Sequence, residues 1–370
     1  MSKHNANNER IKRKYFVYLR QAKQQSEPTV DGVASALARF EGYTKYRDFK
    51  MFRSEQANAF KKHLAEQLSQ KSGKQLSKAT LYASLTNLKR FFQWLSRETG
   101  YKSSIQYSDA EFFNMSGKDT RVATTRRKKT APTLEQVKRV INLMPADTAI
   151  ERRNRALIAF TLLTGARDGA IASMKVKHVD LAGNSVYQDA REVDTKFSKT
   201  FTTFFFPVGD EVQQIVVDWL AYLREKLFWG NDDPLFPATR MEQNAAFQFE
   251  AVGLERKHWS TAAPIRAIFR EAFVSAGLPY FNPHSFRDTL AQHGQLVCPT
   301  IEAFKAWSQN LGHDGVLTTL VSYGQVATNR QGEIMQGLAK PRDAVQSNAD
   351  EIAEAVFRKM RGAGVETLVK

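Results

Sequence analysis

The sequence predicts a mainly α-helical chain with a small β-sheet, built as an N-terminal helical domain followed by a larger mixed α+β domain. Three observations carry that expectation. Apolar residues recur at helical spacing through much of the chain, most clearly in Leu81, Leu85, Leu88, Phe92 and Leu95, whose steps alternate between four and three. One stretch, Val179 to Val208, is rich in β-branched and aromatic residues and breaks that pattern. Between Asn114 and Thr133 the apolar periodicity disappears, which divides the 370 residues into two folding regions.

Taken in order, residues 1–27 read as a basic N-terminal extension, with a charged helix candidate from Asn8 to Gln24. Residues 28–113 read as a small all-helical domain, in which Val33, Leu37 and Phe40 share one face, as do Phe60 and Leu64. Its clearest helix runs from Lys78 to Arg97, with Ser77 as its cap and Gly100 as its end. The polar face of that helix carries Lys78, Lys89, Arg90 and Arg97. Residues 114–132, with Gly117, Pro132 and the run Arg126-Arg127-Lys128-Lys129, read as an exposed basic linker.

Residues 133–340 form the second domain. Thr133 and Gln136 make a capping box, and Leu134, Val137 and Ile141 line the helix that follows. Arg153 to Gly165 is an apolar helix. Val179 to Val208 supplies strands, with Asn184 in a turn and Phe201 to Phe206 in a strand. Helix returns from Asp210 to Phe228 and from Ala262 to Ala276, where Gly277 ends it, and Pro283 opens another. Residues 341–370 form a tail with a helix from Asp350 to Met360, whose Ile352, Val356 and Met360 fall on one side.

The net charge of +16 points to a polyanionic partner. Charge alone fits DNA, RNA and an acidic membrane surface equally. Met1 to Gln25 is polar and basic, unlike a secretory signal, and the apolar stretch Ala156 to Leu163 is too short to span a bilayer. A single cysteine, Cys298, excludes an internal disulfide. These features lead us to expect a cytoplasmic protein with no membrane attachment.

The second domain holds a series of polar motifs: Thr164-Gly165-Ala166-Arg167, Thr195-Lys196, His284-Ser285-Phe286-Arg287, Leu311-Gly312-His313, and Thr318-Thr319 followed by Tyr323 and Gly324. Each fragment alone is weak; their order and domain-scale spacing are the signal. On these residues the chain resembles the tyrosine recombinase (phage integrase) family over Thr133 to Val326. The helical region from Pro28 to Tyr101 also resembles, by pattern, that family's core-binding domain.

The resemblance implies site-specific cleavage and rejoining of duplex DNA through a covalent 3′-phosphotyrosine, in integration or excision of a mobile element. Tyr323 would be the nucleophile, Arg167 and Arg287 the phosphate clamps, and Lys196 the general acid toward the leaving 5′ oxygen. His284 would act as base or phosphate ligand, and His313 would donate to the phosphate. The chemistry suits these residue types. Phosphoryl transfer gathers negative charge on the non-bridging oxygens, so positioning and fixed cations do the catalysis. Guanidinium groups are permanently charged and bind phosphate in bidentate fashion. A phenol is a poor nucleophile at its ordinary pKa of about 10, so it needs a cationic pocket. The scheme calls for no metal and no cofactor. Lys89, Arg90 and the run Arg126, Arg127, Lys128 and Lys129 are the candidate DNA contacts, and a homo-tetramer on paired DNA sites is the implied assembly.

Alternatives stay open on sequence alone. Lys199 competes with Lys196 as the acid. A type IB topoisomerase would use the same covalent chemistry, a non-catalytic DNA-binding regulator would need only the charge, and so would an RNA-binding protein. The sequence also departs from the family pattern twice. Ala170 stands where the family often has a carboxylate, with Asp168 nearby but on another side of the helix. Tyr323 lies one residue farther from His313 than is usual, which would rotate a continuous helix by about 100° unless Asp314-Gly315 absorbs it in a loop.

Overall fold

The computed structural model describes residues 4–69, 73–125, 130–313 and 335. It divides into two compact units, residues 1–127 and 128–370. The architecture is mostly helical with small antiparallel sheets, as the sequence predicts.

The first unit is built from α1 (Ala6–Val17), α2 (Glu27–Tyr43), α3 (Ser54–Glu66), α4 (Lys78–Leu95) and α5 (Gly117–Thr124). In α4, Ser77 accepts from the Thr80 backbone, and Leu81, Leu85, Leu88, Phe91, Phe92 and Leu95 are buried. Burying a side chain of this size contributes about 2 kcal/mol. The core is aromatic: Phe52 stacks on Phe92 at 3.9 Å, and Phe40 and Phe113 pack around them.

Two boundaries differ from the sequence reading. Residues 1–27 are not an appendage, because Ile11 and Tyr15 of α1 and Leu19 just beyond it enter the same core. Asn8 fastens that segment: its side chain donates to Glu41 and to the Arg47 carbonyl and accepts from the Phe49 amide. Residues 114–132 hold a helix, α5, capped by Ser116 and ion-paired through Asp119 to Lys78. Neither was legible in periodicity, since α1 shows little apolar bias and α5 buries no residue.

The second unit starts with α6 (Leu134–Leu143), which opens on the expected Thr133–Gln136 capping box. α7 (Ala149–Thr164) is its centre, buried at every residue from Ala156 to Thr164. A helix apolar on all sides belongs inside a fold. α8 (Asp168–Ser173) follows. β1 (Val179–Asp180), β2 (Ser185–Gln188) and β3 (Phe201–Phe204) form an antiparallel sheet in that order, with Val186 opposite Thr203. α9 (Asp210–Ala221) packs on α7, and a hairpin of β4 (Ala238–Gln243) and β5 (Phe249–Glu255) comes next. α10 (Ala263–Ser275), α11 (Ser285–Val297) and α12 (Ile301–Asn310) complete the described part. α11 begins after Pro283, which lies in the turn that leads into it. Among the described residues no helix is long and apolar enough to cross a membrane.

Candidate active site

The site begins where α7 runs out. Thr164 Oγ1 donates to the Phe160 carbonyl and accepts from the Ala166 amide. Gly165 ends the helix in the left-handed region, at φ +61°. A β-carbon there would lie 2.9 Å from Leu311 Cδ2 and 3.0 Å from Leu290 Cδ1, so glycine is needed for space as well as for angle. The chain then sets Arg167, half-buried, at the N-cap of α8. Ala170 is buried in the core, where a carboxylate would be desolvated. Asp168 turns to α10 and accepts from Arg266 Nε at 2.7 Å.

α11 supplies the next pair. Its lead-in turn is closed by Ser285, whose amide donates to Asn282 Oδ1 and whose hydroxyl donates to the Asn282 carbonyl. His284, at the N-cap, is exposed, whereas Arg287 is only 3% exposed. The Arg287 guanidinium joins the motifs. Nη1 donates to the Gly165 carbonyl at 2.6 Å, and Nη2 donates to the Leu311 carbonyl and to His313 Nε2, the latter at 2.9 Å. Arginine has no acceptor, so His313 Nε2 must be the acceptor and a neutral ring carries its proton on Nδ1.

Leu311, Gly312 and His313 form the turn that closes α12. Gly312 takes φ +70°, and a β-carbon on it would meet the Phe201 ring at 2.9 Å. The turn is clasped to the sheet by Asn310, whose Oδ1 accepts from the Phe204 amide and whose Nδ2 donates to the Phe204 carbonyl. Sequence reasoning passed over Asn310; its place at a helix end just before Leu-Gly-His was the available signal.

Lys196 sits in the long connection between β2 and β3 and is exposed. The connection is tied to α8, because the Asp194 amide donates to Ser173 Oγ at 2.8 Å and Asp194 packs on Gly169. Lys199, at the end of the same short turn, is half-buried. A cleft of about 350 Å³ beside α8 is lined by Ser173, Asp194, His258 and Trp259 among others. In it, His258 Nδ1 donates to the Ala172 carbonyl at 3.1 Å, and burial pushes the imidazole pKa below its ordinary value.

The structure therefore brings the Gly165, Arg287 and His313 segments into direct contact, with Arg167 two residues from the Gly165 carbonyl that Arg287 holds. Lys196 is exposed in a connection whose Asp194, two residues earlier, is tied to α8. Tyr323, Thr318, Thr319 and Gly324 lie outside the described residues, as do Arg126, Arg127, Lys128 and Lys129 and the stripe Ile352, Val356 and Met360. In the first unit, Lys89 Nζ donates to Asn114 Oδ1 at 3.0 Å. Arg90 is exposed and lines a cleft of about 380 Å³ with Tyr18, Lys23, Trp94 and Arg97.

A model of the phage integrase family matches residues 133–329. Tyrosine recombinase XerC of Halalkalibacterium halodurans is 21% identical over 324 residues, 86% of this chain and 94% of that protein. XerC of Lactobacillus delbrueckii subsp. bulgaricus is 23% identical over 254 residues, covering 68% and 73%. Among solved structures, XerH site-specific recombinase bound to a palindromic difH substrate aligns with a TM-score of 0.59 at 17% identity, covering 89% of this chain and 84% of that one. A lambda integrase (75–356) dimer bound to a COC′ core site aligns with a TM-score of 0.58 at 13% identity, covering 86% and 96%. At these identities the structural matches speak to the fold.

Proposed function

The chain belongs to the phage integrase family and is a tyrosine site-specific recombinase; from that premise we propose that it binds duplex DNA and cuts and rejoins it through a 3′-phosphotyrosine on Tyr323, to integrate or excise a mobile element. The observation that carries this reading is the buried Arg287 guanidinium, which fastens the Gly165 turn and the Leu311–His313 turn to α11. Motifs separated in sequence by more than a hundred residues thereby meet around one cation.

In the proposed reaction the Tyr323 phenol oxygen attacks phosphorus, and the bond from phosphorus to the 5′ oxygen breaks. Lys196 passes a proton to that oxygen, leaving a 5′ hydroxyl and a tyrosyl phosphodiester. A 5′ hydroxyl of the partner strand reverses the steps on new DNA. Arg167 and Arg287 hold the non-bridging oxygens. Engagement with protein acceptors does not by itself exhaust a guanidinium, which carries five donors. His284 assists deprotonation of the phenol or binds phosphate, and His313 donates to the phosphate. Lys89, Arg90 and Arg126 to Lys129 contact the DNA backbone, and the active assembly is a homo-tetramer on paired sites in the cytoplasm.

The test is covalent capture. Nicked duplexes with a randomised core are incubated with wild type and with Tyr323→Phe, and DNA that stays bound after denaturation is sequenced. Wild type should yield adducts sharing a core sequence, and Tyr323→Phe should yield none. Adducts in Tyr323→Phe would move the nucleophile to another residue. Adducts without a shared sequence would favour a type IB topoisomerase.

A further inference from the structure

We infer that Phe197 is a positioning residue that holds the Lys196 ammonium, an inference resting on the proposed role of Lys196 as general acid. The β2–β3 connection is anchored up to Thr195, which is 8% exposed, and then turns outward. Phe197 and Ser198 both adopt left-handed backbone, at φ +63° and +50°. That conformation is rare for a bulky residue and costs free energy wherever it persists. It recovers nothing by burial, since Phe197 is 77% exposed. What the ring does contact is the preceding side chain: Lys196 Nζ lies 4.8 Å from the ring centroid. A free lysine side chain turns about four bonds, and a ring face beside its ammonium restricts where the proton donor waits. A cation–π contact at an exposed site is worth a factor of about two to five.

The test uses the duplex recovered by covalent capture, in an ordinary version and in one whose 5′ bridging oxygen at the cut is sulfur. A thiolate leaves without a proton, so the sulfur version needs no general acid. Phe197→Ala and Phe197→Leu should slow cleavage of the ordinary duplex by about two- to fivefold, and Phe197→Tyr, which keeps the ring, should stay at the wild-type rate. On the sulfur duplex all of these variants should cleave at the wild-type rate. Combining Phe197→Ala with Lys196→Ala should add nothing to the loss from Lys196→Ala alone. Slowing of both duplexes by one factor would make the ring a DNA contact and overturn the inference, as would an unchanged rate for Phe197→Ala. Lys196→Ala slowed on both duplexes would instead overturn the reading of Lys196 as the acid, and this inference with it. A wild type that forms no adduct would overturn the proposed covalent chemistry itself.

Discussion

Gly165 shows how much the site asks of a single position. Its left-handed backbone and its contact with Leu311 and Leu290 leave no room for a side chain. Gly165→Ala should lose about 1 kcal/mol through the backbone alone. It should also push Leu311 away, and the Leu311 carbonyl is one of the acceptors that hold Arg287. Misplacing a catalytic group by an ångström costs up to about a hundredfold in rate, so cleavage should fall far more than the melting temperature does. Equal losses in both would mean that Gly165 serves the fold and not the site. His258 makes a separate prediction. Burial lowers its folded pKa, so the unfolded chain binds the proton more readily. The associated stability is present above the ordinary histidine value of about 6.5 and is lost as pH falls from there through the lowered folded value. Between pH 7 and 5 the wild type should lose melting temperature more steeply than His258→Gln, and parallel curves would contradict this. The residue scale is also where sequence was most informative. Arg167, Arg287 and His313 were selected by motif, but two of the partners of Arg287, the Gly165 and Leu311 carbonyls, are backbone, which no alphabet of side chains displays.

Among elements, those with the longest apolar stripes were legible, whereas the short α12, which buries Phe304 and Trp307, and the exposed elements were missed. α4 and α7 announce themselves, because their apolar residues repeat at helical spacing or fill the helix all round. The hairpin β4–β5 was invisible, since its strands are largely exposed and carry Arg240, Glu242 and Gln243 in place of an alternating apolar pattern. It is held by a buried cation. Arg153 of α7 donates from Nη1 to the Pro237 carbonyl and to Thr239 Oγ1, and its guanidinium lies 5.0 Å from the Trp259 ring. Burial lowers its pKa to about 10, which leaves it charged at neutral pH. Arg153→Met should cost about 3 kcal/mol, since it strips charged hydrogen bonds from buried acceptors. The denaturation midpoint should fall with an unchanged slope, whereas an unchanged midpoint would show that the hairpin base is held without Arg153.

For the molecule as a whole, the excess of 54 lysines and arginines over 38 aspartates and glutamates should govern how it meets DNA. Binding should weaken steeply with salt, in proportion to the phosphates contacted. If Lys89 and Arg90 each meet a phosphate, replacing both with alanine should reduce the slope of log affinity against log salt by about two. An unchanged slope would remove that helix face from the interface. The division into two units falls between residues 127 and 128, and the boundary says nothing about chemistry. The chemistry proposed above turns on Tyr323, and the most direct test is to find the DNA on it. After covalent capture and digestion with trypsin and nuclease, the peptide spanning residues 306–330 contains a single tyrosine, Tyr323. The residual nucleotide phosphate should sit on Tyr323 in that peptide; a nucleotide on any other residue, or an adduct that leaves this peptide unmodified, would rule Tyr323 out as the nucleophile.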